Sequence, residues 1–476
     1  MRANMEALPL ESTSSLSLKP GSDVQLVTIG DEFSQEVVTN SLVSGSLIRR
    51  VTAITYLCGM NITSSASNGL IVIGLPRLTK DLELPPSLAF WPSSVQGLTT
   101  ASTLLLTGAI ADVLGPRPPQ GRERNVAFAC LGLSQLLGFS SSLVVGGILI
   151  DTLGWRSGWY FCGGLTLLLF AIGWWALPRA ARPGSLRITI RNLKKKVDWV
   201  GALLASTSIS LLTYFLGIIS TGIDQVRSPL VLVPFSLSMV ATALFVYWMH
   251  SRVKRNRVAL IPNGLWKNLS FTSICITVAL SFAVLNSLDL VTSLYFQEIE
   301  HLSALEAAIR MLPSTVVGLA LNITTGLVVH KIRANWLVAF ASLISAGSPL
   351  LMAVIQPDWP YWKCAFPTQI LMPFSIDVLF TIGLIIITEV FTEEQHAVAG
   401  AVFNTAAQLG NTMGLALMQV ISTWVTKQQE TAKSFTKALM EGYRATFWAM
   451  LAFLLVCSIV GAIGLRRAGK VGSRNC

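Results

Sequence analysis

Long apolar runs separated by short polar and basic segments set the pattern of this chain. A run of about 18 or more residues with few charges is long enough to cross a bilayer as a helix. Twelve such runs occur, at 51–76, 89–110, 125–150, 158–177, 199–220, 230–250, 270–296, 307–329, 336–355, 366–388, 397–424 and 445–465. Their apolar residues do not alternate with polar ones, as the strands of a membrane barrel would. Only helices or closed barrels satisfy the backbone in lipid, so the pattern predicts an all-α integral membrane protein of about 12 transmembrane helices. Residues 1–50 are polar and Ser-rich, without the apolar stretch of a signal peptide. They predict a disordered cytosolic tail, with the first span serving as its own insertion signal.

Composition agrees with this pattern. The 476 residues are 52% hydrophobic and 12% charged, against about 25% charged in soluble domains, and mean hydropathy is +0.61. The net charge of +11 would suggest nucleic acid in a soluble protein. Here the basic residues lie between apolar runs, where they orient the chain. With the N-terminus in the cytosol, 25 of the 35 Lys and Arg fall in inward-facing segments, so both termini are expected to be cytosolic. Trp155, Trp159, Trp199, Trp266, Trp336, Trp359, Trp362 and Trp424 stand near span ends, as an interfacial belt requires. The sequons at Asn61 and Asn322 fall inside spans, and the one at Asn268 faces the cytosol.

The chemistry of an enzyme is missing from the sequence. Seven cysteines form no CxxC pair, and four histidines form no HExxH. No metal, cofactor or nucleic acid is expected. A basic chain of twelve spans without a soluble domain reads as a transporter. It implies a small-molecule substrate, the lipid bilayer as surroundings and a monomer as the working unit.

The loop after the second span reads Gly108-Ala-Ile-Ala-Asp112-Val-Leu-Gly115-Pro-Arg117. Glycines permit a tight turn there, and Asp112 can sit at a helix N-terminus or against an arginine, latching two bundles in one state. This pattern resembles the signature loop of the major facilitator superfamily. The segments LPRLTKDLEL, PQGRERNVAFACLGLSQLLGF, GGILIDTLGWRSGW, KKKVDWVGALL, IPNGLWKN and TEEQHAVAGAVFNTAAQLGNTMGLALM resemble parts of fungal fourteen-helix drug:proton antiporters. The resemblance covers about residues 51–465 and implies proton-coupled efflux of an amphipathic drug, toxin or secondary metabolite. Two six-helix bundles would rock about a midplane site, in the plasma membrane or, alternatively, the vacuolar membrane.

Fourteen helices in that family against twelve here point to a loss. By the resemblance, Gly138 to Gly147 belongs to helix 5, and Pro118 onward to the loop after helix 4, so helices 3 and 4 are missing. The implied organisation is a tail at 1–50 and an incomplete N-terminal bundle at 51–177 (family helices 1, 2, 5 and 6). A basic loop follows at 178–198, then a linker helix pair at 199–250, a second basic loop at 251–269, a six-helix C-terminal bundle at 270–466 and a short tail at 467–476. An ordinary six-plus-six arrangement would explain the number twelve but misplace the motifs. A degenerate, non-transporting copy and an uptake carrier for a nutrient or iron chelate are the competing functions.

Ionisable groups inside spans are costly and therefore functional suspects. Asp289 and Asp377 are candidate proton or cation sites, against a bland role as carboxylates reaching a wet crevice. Asn404 and Gln408 share one helix face and would either bind substrate or glue helices together. Gly138, Ser142 and Gly146, with Gly147 beside them, form a small-residue stripe for close helix packing. Gly108, Asp112, Gly115 and Arg117 are expected to act as the conformational latch.

Overall fold

The structure is a computed structural model that describes residues 47–84, 92–93, 95–97, 99–100, 122–176, 198–221, 228–255, 264–391, 393–430 and 434–469. Eleven of the twelve expected spans fall on its helices. These are α1 (Leu47–Asp81), α2 (Arg122–Leu153), α3 (Trp155–Ala176), α4 (Trp199–Thr221), α5 (Pro229–Lys254), α6 (Leu269–Leu294), α7 (Ala304–Val328), α8 (Ala334–Val354), α9 (Ala365–Leu371), α10 (Phe374–Val390), α11 (Glu393–Glu430) and α12 (Phe435–Gly464). Helix α6 ends in a π-helical turn, Tyr295–Ile299, and α9 and α10 are one span broken at Pro373. Among the described residues, eight stretches combine the length and apolarity needed to cross a membrane. Helices α1, α4 and α11 cover three more expected spans, and the second, 89–110, lies mostly outside the described residues. Everything below concerns Thr52 onward, which packs as one unit.

Two apolar clusters organise the packing. The first joins α1 (Leu70, Ile73, Leu75) and α2 (Leu143, Ile150) to α6 (Leu290, Phe296), α7 (Ala304, Met311), α8 and α12. It therefore fastens the N-terminal helices to the C-terminal ones, at the end of the molecule where α2 finishes and Asp151 lies in its last turn. The second cluster lies at the opposite end and holds Phe271 and Ile274 of α6 with α8, α10 and α11. Ala202, Ala205 and Met249 of the α4–α5 hairpin join it, and no described residue of α1, α2 or α3 does. Helices α4 and α5 pack on each other, and α4 also packs on α11.

Close approach at the centre depends on small residues, as in other lipid-embedded bundles. A Cβ on Gly410 of α11 would stand 2.0 Å from the Ala279 carbonyl oxygen of α6, and one on Gly414 would stand 2.5 Å from Ala283 Cα. A node of small polar groups binds four C-terminal helices. The Ser281 (α6) and Ser375 (α10) hydroxyls are 2.8 Å apart, and Ser342 (α8) lies 3.3 Å from Ser375 and 3.5 Å from Cys457 Sγ (α12). All four side chains are buried, so each hydroxyl finds in its neighbours the partner that lipid cannot supply.

Gly154 makes the corner between α2 and α3 alone. Its φ is +85°, a left-handed conformation that a Cβ would strain, and Ser157 Oγ closes the turn by donating to its carbonyl at 2.6 Å. The position of Asp151 at the tip of α2 follows from this corner. The three sequon asparagines are structural: Asn61 donates to Ser134 Oγ at 3.0 Å, Asn322 bonds α10, and Asn268 caps α6 by accepting from the Ser270 and Phe271 amides.

Overpacking a tight helix crossing costs about 1–3 kcal/mol. Gly410→Val is therefore expected to lower the thermal unfolding midpoint of the purified protein by several degrees. Gly400→Ala on the same helix, which meets open space, should leave it unchanged.

Candidate functional site

The two halves of the molecule are tied together at the Asp151 end by backbone groups that their own helices leave unpaired. Pro76 lies inside α1 and has no N–H, so the Val72 carbonyl one turn earlier loses its intrahelical donor. Ser293 Oγ of α6 supplies the missing hydrogen bond at 2.8 Å, and Gln297 Nε2 donates to the adjacent Ile73 carbonyl at 3.1 Å. Gln297 also donates to Ser293 Oγ at 2.9 Å, which holds both side chains in place.

A second tie satisfies the start of α7. The first amides of a helix have no intrahelical acceptor. Ser303 and Glu306 form a capping box that engages the amides of residues 303 and 306. The remaining two are taken by Asp151 from the other half: its carboxylate accepts from the Ala304 amide at 3.2 Å and from the Leu305 amide at 3.0 Å. Its negative charge also suits the positive end of the α7 dipole. One turn back on the same face of α2, a Cβ on Gly147 would stand 2.9 Å from Leu305 Cα, so only glycine lets α2 approach closely enough for Asp151 to reach.

The other stripe residues face the same half. A Cβ on Gly138 would meet the Ile62 carbonyl at 2.4 Å, one on Gly146 would meet Leu70 at 3.0 Å, and Ser142 Oγ fills the space beside Gly69. These three positions seat α2 on α1, while Gly147 contacts α7.

Asp377 lies nearer the middle of the bundle, on α10 against α7. Its Oδ1 accepts from Asn322 Nδ2 at 3.0 Å, whereas Oδ2 is enclosed without a hydrogen-bond partner. A Cβ on Gly318 would stand 2.8 Å from that oxygen and 3.5 Å from Leu136 of α2. The carboxylate is thus held at the seam between the halves. Asp289 is buried on α6, one turn before Ser293 on the same face, with no hydrogen bond or ion pair among the described residues. Asn404 donates to the Gly400 carbonyl of its own helix at 3.0 Å, and both Asn404 and Gln408 are half-buried. Among the described residues no hydrogen bond or ion pair joins Asp289, Asp377, Asn404 and Gln408 to one another. Gly108, Asp112, Gly115 and Arg117 lie outside the described residues.

Sequence reasoning did not single out Asp151, Ser293 or Gln297. A signal was present in the four-residue steps Gly147–Asp151 and Asp289–Ser293–Gln297, which continue each noted residue along its helix face. The partner elements could not be read that way, because the acceptors on α1 are main-chain atoms.

A two-half helical bundle closed at one end, with buried carboxylates near the seam, is the architecture of an alternating-access carrier. The pattern that defines the Major Facilitator Superfamily matches residues 118–262. The chain is 31% identical to "MFS-type transporter 1" of Pyricularia oryzae over 525 aligned positions, covering 90% of this chain and 85% of that one. It is 26% identical to "Puromycin resistance protein pur8" of Streptomyces alboniger, over 75% of this chain and 68% of that one. The fold is similar to that of a bacterial homologue of the human lysosomal transporter Spinster in an inward-facing, occupied conformation. That match has a TM-score of 0.51 at 14% identity, over 89% of this chain and 98% of that one. The chain belongs to the Major Facilitator Superfamily and is a multi-pass membrane transporter by family.

Hydrogen bonds of this kind contribute about 0.5–1.5 kcal/mol each. Ser293→Ala with Gln297→Ala is expected to raise opening of the Asp151 end by about tenfold. The measurement is the rate at which an impermeant thiol reagent modifies a cysteine placed at buried Ala308. Asp151→Ala and Pro76→Ala should act in the same direction, the latter by returning the Val72 carbonyl to its own helix.

Proposed function

We propose that this protein exports an amphipathic small molecule in exchange for protons. The end tied by Asp151, Ser293 and Gln297 would be the outer gate. With both termini in the cytosol, α1, α2 and α6 finish at the outer surface, so the described form is closed to the outside. The observation that carries the reading is Asp377, a carboxylate at the seam with one oxygen bonded to Asn322 and the other enclosed and unpartnered. An intramembrane carboxylate in that position can carry a proton through the cycle, because losing or gaining charge there changes how α7, α10 and α2 prefer to pack. Asp289 on the α6 face that meets α1 is the second proton candidate, and Asn404 and Gln408 are candidate substrate contacts. The name of the puromycin-resistance relative supports a drug as the kind of molecule exported.

Replacing Asp377 with Asn keeps the volume but removes the titratable group. In proteoliposomes with puromycin as the probe, we expect Asp377→Asn to abolish accumulation driven by a pH gradient and to retain exchange down a concentration gradient. Uphill transport at the wild-type rate would reject the coupling role.

A second reading is favoured by the alignment itself. The match to the Pyricularia relative runs over 525 positions although only 90% of this 476-residue chain takes part, so segments of that relative have no counterpart here. The family match begins at residue 118, directly after Arg117, where a helix 3–4 hairpin would stand. On this reading the form is a reduced copy with weak or absent transport, and α4–α5 is the linker pair, seated on the C-terminal half. Inserting a relative's hairpin after Arg117 is then expected to raise export. Full proton-dependent export by the 476-residue chain would overturn it.

A further inference from the structure

At the end of the bundle opposite Asp151, a cationic patch is built from three elements that are distant in sequence. The Ala334 amide at the start of α8 donates to the Gly469 carbonyl beyond α12 at 2.9 Å. A Cβ on Gly461 would stand 2.7 Å from Val338 Cγ1, and one on Gly464 would stand 2.0 Å from Ser273 Oγ of α6. The end of α12 is therefore wedged between the starts of α6 and α8. Leu465 is buried and Ala468 packs against the same core, which turns Arg466 and Arg467 outward, where both are exposed. Lys331 and Arg333 before α8, and Lys267 before α6, are exposed at the same end. Among the described residues none of the five forms an ion pair. Of the acids at this end whose side chains are described, Asp198 is buried and already engaged by Trp248 Nε1 at 3.0 Å, the Gly201 amide at 3.0 Å and Arg252 at 3.7 Å. Glu389 closes α10 and has an interaction of its own.

Two further features place this patch at headgroup depth. Trp266 precedes Lys267 and Trp336 follows Arg333, and both indoles are about half exposed, as interfacial tryptophans are. The flank beside them is apolar and exposed at Leu269, Ile332, Phe340, Ile459 and Ile463, with Trp336 and Phe340 stacked at 5.7 Å. Arginine recognises phosphate with paired N–H donors, and a juxtamembrane cluster of cations attracts anionic lipid.

We propose that Lys267, Lys331, Arg333, Arg466 and Arg467 form a binding site for the headgroup of an anionic phospholipid, whose acyl chains lie along the apolar flank of α6, α8 and α12. The site needs neither transport nor a particular orientation of the chain. It would make lipid composition a control on the C-terminal half, because a headgroup bridging α8 and α12 resists their separation.

The test uses the full chain in phosphatidylcholine nanodiscs doped with phosphatidylserine, with retained lipids counted by native mass spectrometry. Wild type is expected to retain phosphatidylserine in preference to phosphatidylcholine, and R333Q/R466Q/R467Q to reduce that preference by about tenfold or more. R333K/R466K/R467K should keep most of it, and K254Q/R255Q, at the end of α5, should keep all of it. Comparable thermal midpoints identify the variants as folded. Equal retention by the Gln variant, no preference in wild type, or displacement of the lipid by inorganic phosphate would overturn the proposal.

Discussion

A peptide carbonyl in lipid has no water to turn to, and the tie between the two halves of this protein starts from the carbonyl that Pro76 leaves open. Pro76 opens Val72 in α1, and the donor comes from α6 in the other half of the molecule. Side chains reach other main-chain oxygens across the bundle as well: Tyr361 Oη donates to the Arg310 carbonyl of α7 at 2.7 Å, and Ser345 Oγ of α8 donates to the Met372 carbonyl at the break between α9 and α10 at 2.9 Å. At Pro76 a kink that would weaken a lone helix becomes a point of attachment to another one. Because that donor lies across the seam, the Val72 carbonyl exchanges a protein partner for water when the halves separate.

The same logic applies to the start of α7, where the open groups are amides. Its own capping box meets two of them, and Asp151 meets the other two from across the seam. The tie is local, directional and water-replaceable, which suits a gate better than a core does. Opening exposes these donors and acceptors to solvent, so the cost is modest for the polar groups. The apolar cluster of Leu70, Ile73, Leu290 and Met311 beneath them carries the larger part of the closure.

The sequence was legible where the physics is one-dimensional. Span length and apolarity located the helices, because a bilayer imposes the same requirement on each of them. The basic segments and tryptophans marked the span ends for the same reason. The small-residue stripe was visible, but its directions were not: Gly138, Ser142 and Gly146 turn to α1, and Gly147 turns to α7. Asp377 was legible as a charge in the wrong place, yet Asn322 and Gly318 beside it were not, since α7 and α10 meet only in the folded bundle. The tie between the halves was hidden because half of it consists of main-chain atoms, which every residue has. The sequence marks such atoms only by the proline that frees them.

Enclosure differs sharply between helices, and the difference bears on what the α4–α5 hairpin can do. Helix α6 is largely buried along its apolar length, whereas α3 and α5 are mostly exposed. Tyr160, Leu167, Phe170 and Trp174 of α3 are exposed along its length, as are Val233, Val246 and Tyr247 of α5. Helix α4 is fixed by Ala202 and Ala205 in the cluster around Phe271, and α5 by Met249 in that cluster and by Trp248 on Asp198. To stand beside α3, the hairpin would have to pull Ala202, Ala205 and Met249 out of the cluster around Phe271. Asp198 would keep its partners in such a move, because Gly201, Trp248 and Arg252 all belong to the hairpin and travel with it. The polar end therefore locks α4 to α5, and apolar residues seat the pair on the C-terminal half.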